Sequence, residues 1–320
     1  MNLELALAAG IASGTVLLFA AIGELFAERA GIINLGVQGM MFVGALVGFK
    51  IGSEVDPWLG VAMAMVAGAL LSLLHGIVCI HLQANQIVSG LALTFLGTGV
   101  ALVLGEGLSS GSPALLPVVS LPLLSDIPFI GGVFFSQQSI LVYLGYLLVP
   151  LTSLWIFKTR PGLHLRAVGE QPSAADALGV NVYRQRYAYT MLGGALAGLA
   201  GATITMALVP GWHADKTVIA QGWIAVALVI FGQWKPGRTM FGAYMMAFIF
   251  RLTIDLQGKD ALLGLPNIFF EYQPSTFFLG MLPYVMVILV LVFAASEANR
   301  KRIGAPAALG LPYQRGERGH

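Results

Sequence analysis

The stretch "GELFAERAGIINLGVQGMMFVGALVGF", Gly23 to Phe49, places Glu24, Glu28, Arg29, Asn34 and Gln38 between two apolar runs. Two structures fit such a stretch. One is a soluble hairpin with a charged turn, and the other is a chain that leaves a membrane and re-enters it. Composition chooses between them. Of 320 residues, 57% are hydrophobic and only 10% charged, with a mean hydropathy of +0.83. Soluble domains carry about a quarter charged residues, so this chain lacks the polar groups to cover a water-facing surface. It reads as an integral membrane protein.

A bilayer core takes roughly 20 apolar residues per helix. Runs of that kind lie at about 3–22, 31–51, 58–82, 87–106, 138–157, 187–209, 217–233, 239–256 and 274–295. The expected architecture is an all-α polytopic bundle of about nine spans. Eight or ten are the neighbouring counts, because the seventh run is short and flanked by Trp212, Trp223 and Trp234. The N-terminus lacks a basic region before its apolar run and reads as a first retained span. The single cysteine, Cys79, excludes an intramolecular disulfide and reads as a small buried hydrophobe.

Basic residues set the orientation. With the N-terminus outside, Arg29, then Lys158, Arg160, Arg166, Arg184 and Arg186, then Lys235 and Arg238, and finally the tail arginines all fall inside. Only Lys50, Lys216 and Lys259 fall outside, and Arg251 lies within a span. The reading is N-outside, C-inside. Residues 1–296 form the membrane domain, with an ordered outer loop at 108–137 and a hydrophilic inner loop at 158–186. The segment 297–320 reads as a frayed inner tail.

The inner loop, "KTRPGLHLRAVGEQPSAADALGVNVYRQR", carries its own helix signals. Pro172 precedes a start, Ser173 and Asp176 have capping-box spacing, and Gly179 supplies a stop. Asn181 then caps a second helix that takes Arg184 and Arg186 into the next span. A plain linker needs no such caps. A short rigid helix outside the membrane is shaped to dock into a groove of another protein.

"GLHLRAVGEQPSAADALGVNV" resembles the cytoplasmic loop of permease subunits of bacterial ABC importers, in the branch that handles branched-chain amino acids, ribose-type sugars and nucleosides. "ERAGIINLGVQGMMFVGA" and "ANQIVSGLALTFLGTGV" resemble two further signatures of that branch, and the likeness runs from about Gly23 to Phe293. The first motif is closest in style to permeases paired with nucleoside-binding lipoproteins, although Gln38 stands where a Glu is common. The resemblance implies a bacterial inner-membrane protein working with an ATP-binding subunit, an extracytoplasmic solute-binding protein and a second, different permease. It implies that Arg166, Glu170, Ser173, Ala175, Asp176 and Gly179 meet the ATPase.

No phosphate-binding loop is present, since the only Gly-Lys pair, Gly258-Lys259, is followed by Asp260. ATP and magnesium therefore belong on a partner. His75, His81, His164, His213 and His320 form no HExxH or Cys-His zinc pattern, and there is no GxSxG elbow. No enzyme, no cofactor in this chain and no nucleic-acid partner are expected. "GGALAGLAGA" instead spaces Gly194 from Gly198 and Ala197 from Gly201, which permits close helix packing.

Amides inside hydrocarbon are costly and need a reason. Asn34 and Gln38, four apart, are read as one helix face that either lines a solute path or clasps a neighbouring helix. Asn85, Gln86, Ser89 and Thr94 are read as a second such cluster, with Asn85 also placed to cap a helix. Glu28 is placed to pair with Arg29, and Arg251 with Asp255. An ion-coupled secondary transporter is the competing class, but its mid-span carboxylates and inverted repeats are not evident. A structural membrane protein would not need amides spaced along helix faces. Nucleosides are the first candidate solutes, then simple sugars, then branched-chain amino acids.

Overall fold

In the computed structural model, residues 3–108, 116–209, 211–212, 220–257 and 304–315 are described, with isolated positions between 261 and 292. The expected ninth span, 274–295, lies almost wholly outside them. Helices match the other eight expected runs: α1 Leu3–Arg29, α2 Val37–Glu54, α3 Pro57–Gly76, α4 Gln86–Leu104, α6 Ile140–Lys158, α9 Val182–Thr203, α10 Gln221–Phe231 and α11 Pro236–Gln257. Between them lie the short α5 Ile130–Phe134, and α7 Arg160–Glu170 and α8 Pro172–Ala177 in the hydrophilic loop. Single π-helical turns, Ile77–His81 and Ile204–Leu208, extend α3 and α9. Among the described residues, five helices, counting those extensions, are long and apolar enough to cross a membrane. The chain is mostly helical and multi-pass.

Starts and stops follow local chemistry. Asp56 accepts from the amides of Trp58 and Leu59 at 2.9 Å and is followed by Pro57, which opens α3. Asn85 caps α4, and Asn181 caps α9 by accepting from Arg184 N at 2.9 Å. Gly31 and Gly179, at φ +89° and +85°, close Schellman motifs at the ends of α1 and α8. In the first, Gly31 N donates to Glu28 O and Ile32 N to Ala27 O; in the second, Gly179 N donates to Asp176 O and Val180 N to Ala175 O.

The core is built on α1, α2 and α9, the most buried helices. Small residues let their backbones touch. A methyl added at Gly194 would collide with Gly68 of α3, at Gly198 with Ala64 of α3, and at Gly201 with Met41 of α2. The small-residue spacing read in "GGALAGLAGA" is therefore a packing seam, used on two sides at once. The outer loop is tied down by a two-residue ribbon, Val118–Val119 paired with Gln138–Ser139.

Two expectations are corrected here. The second span does not start at residue 31: the left-handed Gly31 ends α1, residues 32–36 are not helical, and α2 begins at Val37. Asn34 thus lies off the helix and does not share a face with Gln38. The tail is also not frayed where it is described, because residues 304–315 pack on the bundle.

Candidate functional site

A buried non-helical turn needs partners for its amides and carbonyls. The turn 32–36 finds them on side chains of three helices. Glu24 Oε1 of α1 accepts from Asn34 N at 2.8 Å, and Gln86 Oε1 of α4 accepts from Ile33 N at 2.8 Å. Thr94 donates to Leu35 O at 2.8 Å. His75 Nε2 of α3 donates to Ile33 O at 3.0 Å, which leaves Nδ1 to accept from Ser89 Oγ at 3.0 Å in the neutral ring. Asn34 closes the turn itself, accepting from Gly36 N at 3.0 Å.

Of the six residues expected along a path, Asn34, Gln86, Ser89 and Thr94 are thus brought together as supports of one turn. Gln38 is separate and accepts from Gly222 N of α10 at 2.7 Å. Asn85 is exposed and caps α4. Sequence reasoning missed Glu24 and His75 as supports of the turn. The available signal was their cost: both are fully buried, and an ionisable group there needs a specific partner.

Next to the turn, Glu28 accepts from Trp234 Nε1 at 2.5 Å, while Arg29 Nη2 donates to Trp234 O at 2.9 Å. Glu28 therefore bonds the α10–α11 corner rather than pairing with Arg29. The Arg29 and Arg166 guanidinium carbons both lie over the Phe157 ring, at 5.9 and 5.6 Å from its centroid. Arg251 and Asp255 form the expected ion pair at 3.1 Å.

The same end of the bundle carries α7, α8 and the tail. Thr159 caps α7, and Pro161 fits its first turn. The capping box read at Ser173 and Asp176 is not the start of α8. Gln171 holds the N-cap position without a side-chain bond, and Pro172 is the first helical residue. Ala175 turns inward at 2% exposure, packing with Val168, Val182 and Tyr313. Asp176 bonds Arg315 at 3.1 Å, and Glu170 Oε2 accepts from Ala307 N at 3.3 Å. Glu170, Gly179 and Leu178 are exposed, Leu178 by 86%. Burial raises the pKa of the Tyr313 phenol, and its hydrogen bond to the Asp176 carboxylate raises it further.

Two cavities flank these elements. One, of about 330 Å³, opens beside Ile33, Cys79, Asn85, Gln86 and Pro312. The other, of about 540 Å³, lies at the opposite end of the bundle between Ser13, Leu17, Gln221, Phe250 and Arg251. Its size suits a small solute, and its wall combines apolar surface with a few polar groups. Among the described residues no cluster of His, Cys, Asp and Glu is arranged to hold a metal.

Comparison with known proteins supplies the context for this geometry. The family model described as the permease component of branched-chain amino acid transport systems matches residues 6–295. A guanosine ABC transporter permease protein of Bacillus subtilis is 36% identical over 94% of each chain. A nucleoside ABC transporter permease protein of Lactococcus lactis is 36% identical over 98% of this chain and 97% of its own. A protein of Haloferax volcanii, provisionally named a glucose ABC transporter permease, is 37% identical over 96% of each chain. No solved structure matches.

Proposed function

The chain belongs to the branched-chain amino acid transport system permease family, and from that premise we propose that it is the membrane subunit of an ATP-driven importer whose solute is a nucleoside. The observation that carries the solute class is the pair of guanosine and nucleoside permeases, each alike over nearly its whole length. A sugar is the second reading, favoured by the relative named for glucose.

In this reading the chain crosses the bacterial inner membrane about nine times, N-outside and C-inside, so that α7, α8 and the tail face the cytoplasm. An ATP-binding subunit, which holds ATP and magnesium, docks on α8 with Leu178 as its apolar anchor. Glu170 and Gly179 border that contact, whereas Ala175 acts from beneath by holding α8 on the bundle. An extracytoplasmic binding protein delivers solute to the opposite end, where the cavity beside Ser13, Gln221 and Arg251 opens. A second permease completes the path.

Closure of the ATPase displaces α8, and the turn 32–36 is the element that responds. The amides expected along the path then act through that turn: Asn34, Gln86, Ser89 and Thr94 hold it in place, and Gln38 ties α2 to α10. The test is co-expression with an ATP-binding subunit and a binding protein, followed by ATP hydrolysis in liposomes. Stimulation by guanosine-loaded binding protein supports the nucleoside reading, and stimulation by glucose alone replaces it with the sugar reading. Uptake driven by an ion gradient without ATP would overturn both.

A further inference from the structure

The last described segment, residues 304–315, crosses every structural part of this end of the bundle. Ala308 N donates to Gly169 O of α7 at 2.9 Å, and Gly310 N donates to Gly31 O of the turn at 3.0 Å. Arg186 Nη1 of α9 donates to Leu311 O at 3.1 Å. Tyr313 O accepts from Gln83 Nε2, in the turn after α3, at 3.2 Å. Gln314 Nε2 returns a bond to Gln83 Oε1 at 2.6 Å, and Arg315 reaches Asp176 of α8 at 3.1 Å.

Surface contacts of a tail are ordinarily weak and frayed. Two features set this one apart. Tyr313 is only 8% exposed and sits in one apolar cluster with Val168, Ala175 and Val182, its ring 5.6 Å from that of Tyr183. Arg186, at 1% exposure, is the largest fully buried side chain among the described residues; its Nη1 donates to a tail carbonyl, whereas Nε and Nη2 find no acceptor among those residues. Burying a guanidinium is costly unless acceptors reach it. The segment is therefore a built part of the fold, laid across α8 at one end and the membrane turns at the other.

We propose that residues 304–315 are a transmission strap, which positions the docking helix α8 and passes its displacement to the turns after α1 and α3. The helix α8 is only six residues long and is covalently joined to α7 and α9 alone. One path from α8 to the 31–36 turn, the element that needs to move, runs through the strap, from Asp176 to Arg315, along the strap backbone, and from Gly310 to Gly31; a second runs through α7, where Gly169 packs on the Arg29 carbonyl. Tyr313 is the pin of this link, because its ring packs under α8 while its carbonyl holds Gln83. Packed elements with two discrete arrangements carry coupling of this kind.

The inference rests on the reading of α8 as the ATPase dock, and the experiment separates the two. The full complex is assembled in liposomes with Tyr313→Ala, Tyr313→Phe, or a stop codon at Gly304, alongside Leu178→Asp. Three quantities are read: retention of the ATP-binding subunit, ATP hydrolysis with guanosine-loaded and glucose-loaded binding protein, and solute taken up per ATP. Tyr313→Ala retains the subunit but lowers uptake per ATP about tenfold, as expected when the competent state becomes a minority. Tyr313→Phe, which keeps the ring and the backbone, restores it. Parental uptake per ATP in both Tyr313→Ala and the truncation overturns the strap. Loss of the ATP-binding subunit from Tyr313→Ala also overturns it, because the segment would then only build the dock. Retention of the subunit by Leu178→Asp refutes the docking reading instead.

Discussion

Gly44→Ala tests whether the bundle is held by direct backbone contact. An alanine β-carbon at this position of α2 would stand 2.5 Å from Gly198 Cα and 2.8 Å from Gly198 C of α9. Carbon atoms pack at about 3.5–4.0 Å, so α2 and α9 must part by about 1 Å. Retreat is closed off on the other sides of α2. A β-carbon at Gly60 of α3 would lie 2.6 Å from Gly48 O, and one at Gly97 of α4 would lie 2.5 Å from Gly39 O. Overpacking of this kind costs about 1–3 kcal/mol, against a gain of about 0.5–1 kcal/mol for alanine over glycine in a helix. The net loss is up to about 2.5 kcal/mol, with about 1 kcal/mol in the middle of the range, a fall in melting midpoint of about 2–4 °C at that middle value by the scaling for larger soluble domains. Gly99→Ala on α4, where nothing lies within 4 Å, takes the same propensity gain without the collision. Thermal size-exclusion of the two tagged variants in detergent reads the difference. A Gly44→Ala midpoint equal to or above that of Gly99→Ala would refute close packing at this seam.

The turn 32–36 gives a ranked pair of effects. Gln86→Leu leaves the buried amide of Ile33 without its acceptor and costs about 1–3 kcal/mol. Thr94→Val costs about 1 kcal/mol or less, because the carbonyl of Leu35 loses a single donor and carbonyls tolerate this better than amides. Equal melting midpoints for the two would count against the turn as described. Leu178→Asp, altering a side chain 86% exposed, leaves the melting midpoint unchanged but strips the ATP-binding subunit on co-purification. Gly179→Ala meets no atom within 4 Å, so only its backbone conformation at φ +85° opposes the change. A cost of about 1 kcal/mol is expected, and Gly179→Asn is expected to be milder, with proteolysis of the 172–181 segment as the readout.

Part of the fold was legible because several helices are bounded by residues with a single local use. Asp56-Pro57, Asn85 and Asn181 satisfy the first amides of helices, and they do so whatever packs around them. Gly179 was readable for the same reason. The helix α7 was not read, although Thr159 and Pro161 are start signals, because Gly162 and Gly169 lower its helix propensity and the burial of Leu165 and Val168 against the bundle stabilises it. The tail was misread on similar grounds. "GAPAALGLPYQR" has the composition of a frayed end, and its order comes from partners such as Gly169, Arg186 and Gln83 that lie more than a hundred residues away.

The candidate site was half legible, and the missing half has one physical cause. Glu24, His75, Gln86, Ser89 and Thr94 are individually expensive in hydrocarbon, which marks them but does not say what they serve. Searching for a solute or a metal that would explain each one assumes that the partner is foreign. Here the partner is the chain's own backbone. Five non-helical residues bury amides and carbonyls inside the bundle, and the side chains of α1, α3 and α4 supply several of the partners a helix would have supplied internally. That arrangement also explains why the break sits where it does. A helical connection between α1 and α2 would need none of these groups, but it would also be stiff. The turn is instead held by side chains of three helices at once. The polar residues of the opening stretch thus hold the break between α1 and α2 in place against three helices.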